Sequence, residues 1–263
     1  KMNYIHFYLA TKKQKGGEME YKIEGDNLQV VKITLKEGQE VYAEAGKMMF
    51  KTSGINMKTE MKGKGVGAKL FGAVKRKVAG ESLFTTHYTG DGMVGFAGDY
   101  PGRIEVIKLG EGQSFLAQRD AFVCAESTVD FSIAFQKKIG AGLFGGEGFI
   151  LEKFTGPGTV FIHAGGDFLS FDLESEETIQ VDTGCVVGFE DGVNYNIQFV
   201  GGIKTAVFGG EGLFLTTLTG PGKVILQTLT LARLRRELGG FKTGGGEKSG
   251  LGGIVSSFMG SED

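Results

Sequence analysis

Glu147-Gly-Phe-Ile-Leu-Glu-Lys-Phe-Thr-Gly-Pro-Gly-Thr-Val160 is one of three versions of a single pattern in this chain. The others are Glu81-Ser-Leu-Phe-Thr-Thr-His-Tyr-Thr-Gly-Asp-Gly-Met-Val94 and Glu211-Gly-Leu-Phe-Leu-Thr-Thr-Leu-Thr-Gly-Pro-Gly-Lys-Val224. All obey E-x-[LF]-[FI]-x-x-x-x-T-G-[DP]-G-x-V. Phe, Leu, Ile and Thr favour a pleated, half-buried strand, and T-G-P-G supplies turn chemistry. Each version therefore reads as a strand, a tight turn and a returning strand, and self-similarity on this scale marks a repeat architecture.

The similarity extends outward from these turns. Val129, Phe131, Ile133 and Phe135 alternate at period two; Val193, Tyr195, Ile197 and Phe199 repeat them 64 positions later, and Ile55, Met57, Thr59 and Met61 stand 74 positions earlier. Such alternation predicts strands with one buried and one wet face. An opening strand recurs at the same offsets, with Val30, Ile33 and Leu35, then Ile104, Ile107 and Leu109, then Phe168, Phe171 and Leu173. The separation from Phe135 to Glu147 and from Phe199 to Glu211 is 12 residues, but from Met61 to Glu81 it is 20, so the first unit carries eight extra residues. The expected architecture is all-β, of the sandwich or barrel class. Its units are 20–98 (insertion 62–80), 99–166 and 167–230, in a pseudo-threefold arrangement in which each buries its apolar face against a sister.

Composition agrees with a packed β protein. The chain has 263 residues, 41% hydrophobic, with 46 Gly, 21 Phe and only 3 Pro, which excludes wholesale disorder and a collagen-like repeat. A net charge of −2 gives no global field toward nucleic acid or an anionic bilayer. Two cysteines cannot build a disulfide framework, and no N-x-S/T acceptor occurs, so a cytoplasmic location is expected. Residues 1–19 read as an accessory extension, because patterned sequence begins after Met19. Residues 231–263 read as a C-terminal segment ending in a flexible Gly-rich tail. No run approaches the roughly 18 apolar residues of a spanning helix.

Together with Tyr21-Lys-Ile-Glu-Gly-Asp26 at the start and Ala43-Glu-Ala-Gly46 followed by Met48-Met49, these turns resemble the altered-inheritance-of-mitochondria family, whose fold is called tryptophan-RNA-binding-attenuator-protein-like (TRAP-like). The likeness spans roughly Met19 to Leu238 and rests on several ordered motifs. It implies three double-stranded β-helix (jelly-roll) modules, with prokaryotic relatives and mitochondrial ones connected to membrane organisation. It implies no catalytic residue. The fold name records a structural likeness, and no RNP-type aromatic-basic signature for RNA occurs.

The insertion, residues 62–80, holds six Lys/Arg and no acid, leaving −8 for the rest of the chain. On a helical wheel Val66, Leu70, Phe71, Val74 and Val78 share one arc, which admits one short helix here; Lys69, Lys75 and Arg76 lie outside that arc, with Lys77 intruding. Such a helix caps the end of a β module, or offers Lys69, Leu70, Phe71, Lys75, Arg76 and Lys77 to a protein partner or an anionic membrane surface. Four glycines between 63 and 72 weaken the helix by up to about 1 kcal/mol each. Gly63-Lys-Gly-Val-Gly-Ala68 satisfies G-x-G-x-x-A, but a dinucleotide site needs a strand before that loop and a helix and parallel strand after it, and a hairpin follows instead. Glu81, Glu147 and Glu211 are repeat-equivalent acids, read as structural acceptors at glycine-rich strand entrances. His87 stands where the sister units have Lys153 and Thr217, and His163 where they have Ala97 and Gln227, so the chain holds no repeated His site. Cys124 and Cys185 read as buried thiols in apolar strand contexts. No hydrolase, zinc or Walker motif is present, and no cofactor or metal is expected. The expectation is a non-enzymatic, self-associating β scaffold or assembly protein. The alternatives are a small-ligand-binding jelly roll, or a peripheral membrane protein acting through 62–80.

Overall fold

The computed structural model describes residues 19–62, 83–137, 148–199 and 214–239. β1 (Glu20–Glu24) is followed by β2 (Val30–Leu35), β3 (Glu40–Glu44), β4 (Met48–Lys51), β5 (Ile55–Lys62), β6 (Leu83–Gly90) and β7 (Gly92–Ala97). The next stretch gives β8 (Gly102–Leu109), β9 (Ser114–Gln118), β10 (Phe122–Glu126), β11 (Asp130–Lys137), β12 (Phe149–Thr155) and β13 (Gly158–Gly165). The last gives β14 (Phe168–Leu173), β15 (Thr178–Asp182), β16 (Val186–Glu190), β17 (Asn194–Phe199), β18 (Phe214–Thr219) and β19 (Gly222–Gln227), then α1 (Leu231–Gly239). The described residues are thus nearly all β.

Among the described residues all ladders are antiparallel and form four sheets, in the orders β1-β2-β7-β4, β5-β6-β3-β10-β13-β8, β11-β12-β9-β16-β19-β14 and β15-β18-β17. The two central sheets each join strands from consecutive stretches of chain, through β3·β10 and β9·β16. The cores lie between successive sheets. Ile33, Val94 and Phe96 of the first sheet meet Val41, Ala43 and Phe161 of the second. Tyr42, Phe122 and Ile162 on the opposite face of that second sheet meet Phe115 and Phe154 of the third. Leu116, Phe149 and Leu151 on the far face of the third meet Leu218 and Ile197 of the fourth. Alternation explains the division, since Val41 and Ala43 point one way and Tyr42 the other.

The turns recur in detail. The Glu126 carboxylate accepts the backbone N–H of Thr159 at 2.6 Å, the Glu190 carboxylate that of Lys223 at 3.0 Å, and the Thr52 hydroxyl that of Met93 at 3.0 Å. Each donor directly follows the second glycine of a T-G-x-G turn, and these side chains pin the start of a strand that crosses to the neighbouring sheet, so β6–β7, β12–β13 and β18–β19 are not the returning hairpins expected from the sequence. Gly158 and Gly222 have φ of 142° and 138°, a region L side chains rarely adopt, which is why glycine stands there.

Several expectations need amendment. Val31, not Val30, faces the first core. Met57 and Ile133 are 48% and 39% exposed, on strands β5 and β11 that among the described residues have a neighbour on one side only. Cys185 is half-buried in a 3-10 turn, not in a strand; only Cys124, in β10, is a fully buried thiol. Among the described residues the one α-helix is 231–239, where the Thr230 hydroxyl accepts the N–H of Arg233 at 3.1 Å and caps its first turn.

Candidate functional site

Where the first stretch of chain meets the second, the ladders bring together more buried charge than anywhere else among the described residues. β3 delivers Glu44 at its end, and Lys47 follows just before β4. The connection from β7 to β8 supplies Asp99 and Tyr100, the 3-10 turn after β9 supplies Arg119 and Asp120, β12 supplies Glu152 and β13 supplies His163. Lys47 is only 4% exposed; its ammonium lies 2.5 Å from the Asp99 carboxylate and 3.8 Å from that of Glu44. Glu152 is 1% exposed and its Oε2 has no hydrogen-bond partner. Burying a carboxylate disfavours its charged form. Burial therefore holds Glu152 well above the usual carboxylate range, and nearby Glu44 adds to the shift while Arg119 and Lys47 oppose it. Burial also pushes Glu44 up to about 7, against the pull of Lys47 and Arg119.

His163 completes the junction. Its ring packs edge-on against Tyr100, with centroids 4.9 Å apart at 84°, and its Nδ1 is buried without a partner. Burial, then the Lys47 charge, push its pKa down to about 4, so it is neutral over the ordinary range. Tyr100 links onward, its hydroxyl donating to Oε1 of Gln227 at 3.3 Å; the same oxygen accepts the N–H of Gly165 at 2.9 Å, and Nε2 of Gln227 donates to the carbonyl of Gly184 at 2.8 Å. Across the ladders, Glu152 lies opposite Ala117, Thr86 opposite Ala43 and Thr216 opposite Val181. Thr216 and Thr183 share a hydrogen bond at 2.9 Å, whereas Glu152 and Arg119 stand 64 residues before them in the sequence.

The ring of His163 fits because of glycine. A Cβ on Gly102 would lie 1.9 Å from the carbonyl oxygen of Ala164 and 2.6 Å from Nε2 of His163. Gly102→Ala is expected to destabilise the fold by about 1–3 kcal/mol through this overlap. Urea denaturation measures it, and an unchanged midpoint would contradict the packing described.

Chemically, the arrangement holds protons and joins strands. Among the described residues no group of three or more His, Cys, Asp or Glu is placed to hold a metal ion. The residues singled out in the sequence, Lys69, Leu70, Phe71, Lys75, Arg76 and Lys77 with Glu81, Glu147 and Glu211, lie outside the described residues. The other histidine considered, His87, pairs through Nδ1 with Glu40 at 2.5 Å, remote in register from His163. Sequence reasoning passed over Glu44, Lys47, Arg119 and Glu152. A signal existed: Glu152 is an acid inside an otherwise strand-forming run whose sister positions are Thr86 and Thr216.

Among the described residues no helix is long and apolar enough to cross a membrane. The family model described as mitochondrial biogenesis AIM24 matches residues 21–229. An uncharacterized protein of Streptococcus pyogenes serotype M6 is 33% identical over 207 residues, which covers 77% of this chain and 82% of that one. The crystal structure of a Streptococcus pyogenes protein superposes with a TM-score of 0.71 at 27% identity, covering 85% of this chain and 100% of that one.

Proposed function

We propose that this chain, which belongs to the mitochondrial biogenesis AIM24 family, is a non-enzymatic β scaffold that acts by self-association in the cytoplasm. In this reading the three stretches 20–98, 99–166 and 167–230 are copies of one jelly-roll module about a pseudo-threefold axis, with 1–19 and 231–263 as accessory ends. The observation that carries the reading is the use of sheet edges as joints. β3·β10 and β9·β16 extend a sheet from one stretch into the next, so the fold grows by adding strands at an edge. The buried charges serve the same end, because Lys47 and Asp99 bind the first stretch to the connection leading into the second. The insertion 62–80 is a further contact for a protein partner, and Glu81, Glu147 and Glu211 are structural.

The test is the molar mass of the full chain by size-exclusion chromatography with light scattering at micromolar concentration. A mass of two or more chains that falls on dilution is expected; a strict monomer at every concentration overturns the proposal.

A further inference from the structure

We infer that β15 of one copy pairs with β4 of a second copy, which names the surface on which the self-association proposed above rests. Among the described residues the third strand pair of this kind is missing. β3 pairs with β10 and β9 with β16, yet among the described residues β15 has only β18 beside it and β4 only β7. The consequence is visible side by side. Val123 and Val187, in the joined strands β10 and β16, are 0% and 1% exposed, whereas Met49, at the same position in β4, is 67% exposed. Tyr42 in β3 is buried, while Gln180 at the same position in β15 is exposed. An edge strand with unpaired N–H and C=O groups is a template for another strand, and here one chain carries both halves of a joint it uses twice internally.

Joining them would extend the fourth sheet into the first in the order β17-β18-β15-β4-β7-β2, the order already present as β5-β6-β3-β10-β13-β8. The register follows. Val41 opposes Glu126, Tyr42 opposes Ala125 and Ala43 opposes Cys124; Phe115 opposes Glu190, Leu116 opposes Phe189 and Ala117 opposes Gly188. The same register sets Ile179 against Thr52, Gln180 against Lys51 and Val181 against Phe50. Exposed Glu174, Glu176 and Glu177 before β15 complement exposed Lys51 on β4. α1 reaches the end of β15 at Asp182 through Arg233 at 3.6 Å, beyond these three pairs. Because the two edges differ, the contact is head-to-tail and builds a closed ring or an open fibre.

The experiment uses two full-length chains, Lys51→Cys and Gln180→Cys, each confirmed folded by circular dichroism, oxidised alone and mixed. Facing residues of an antiparallel pair have Cα atoms about 4.5–5.5 Å apart, within disulfide reach. A linked dimer is expected in the mixture at several times the yield of either chain alone. No enrichment in the mixture overturns the inference. So does a doubly substituted chain that links only within itself, since that places both edges in one molecule. If light scattering shows oligomers while the mixture stays unlinked, self-association stands and this surface is wrong; if the protein is monomeric, both fall.

Discussion

Phe161→Ala should lower the unfolding free energy by about 3–5 kcal/mol, the cost of deleting a buried aromatic ring and leaving its cavity. Phe161 lies in the middle of β13 and is 0% exposed. Its ring meets that of Tyr21 edge-on, with centroids 5.0 Å apart at 80°, so a side chain from the second stretch of sequence fills the core built mainly by the first. Its neighbours Val160 and Ile162 point to the opposite core. If the second sheet buries both faces, losing this ring loosens two layers together, and the melting temperature should fall by roughly 10 °C for a chain of this size. Ile133→Ala, on a partly exposed side chain, is the matched control and should cost under about 1 kcal/mol. Urea and thermal unfolding of both variants decide it. Equal, small losses would mean that β13 does not lie between two cores.

Stability should fall as pH rises above 6.5. Glu44 titrates at about 7 when folded against an ordinary 4.5, so between those values the folded chain holds a proton that the unfolded chain has released. Raising pH through that window therefore favours unfolding, at up to about 1.4 kcal/mol per pH unit for one group, less here because Glu44 is partly solvated. Glu152, raised by burial, contributes with the same sign and continues to higher pH. His163 acts oppositely. With a folded value of about 4 against 6.5, it is the unfolded chain that holds the extra proton, so stability rises with pH between 4 and 6.5 and then levels. The two signs offset one another below 6.5, and only the carboxyl effect remains above it. Urea titrations at pH 6.5, 7, 7.5 and 8 should show a steady loss, up to about 0.8 kcal/mol of it from Glu44, with Glu152 adding in the same direction. Glu152→Gln, which cannot ionise, should flatten the slope. A wild-type curve that is level or rises to pH 8 would show that these carboxyls are not held neutral by burial.

Much of the fold was legible because strand and turn chemistry is local. Phe, Ile, Val and Thr at period two, with T-G-x-G between them, are enough to place β6 before β7, β12 before β13 and β18 before β19 in the chain order, but not to show that the two strands of each turn enter different sheets instead of pairing. The rule of one buried and one wet face misled where a sheet is covered on both sides. Phe122-Val-Cys-Ala125 and Val186-Val-Gly-Phe189 are continuous apolar runs, and they are the strands at the joints, with cores on either face. The continuous runs were therefore the mark of the joints, a signal that period-two reading discards. The buried junction was illegible for a different reason. Glu44, Lys47, Asp99, Arg119 and Glu152 are scattered over more than a hundred positions, and a charged residue in a strand reads by default as solvent-facing.

Elements, turn positions and the offsets of 64 and 74 belong to the sequence alone, since they depend on which side chains suit an extended backbone and which tolerate a tight turn. Which edge joins which, and which charges go inside, belong to the tertiary structure. An edge presents the same N–H and C=O groups whatever its sequence, so only the stacking of sheets selects its neighbour. A carboxylate's protonation likewise depends on how much water the surrounding layers exclude.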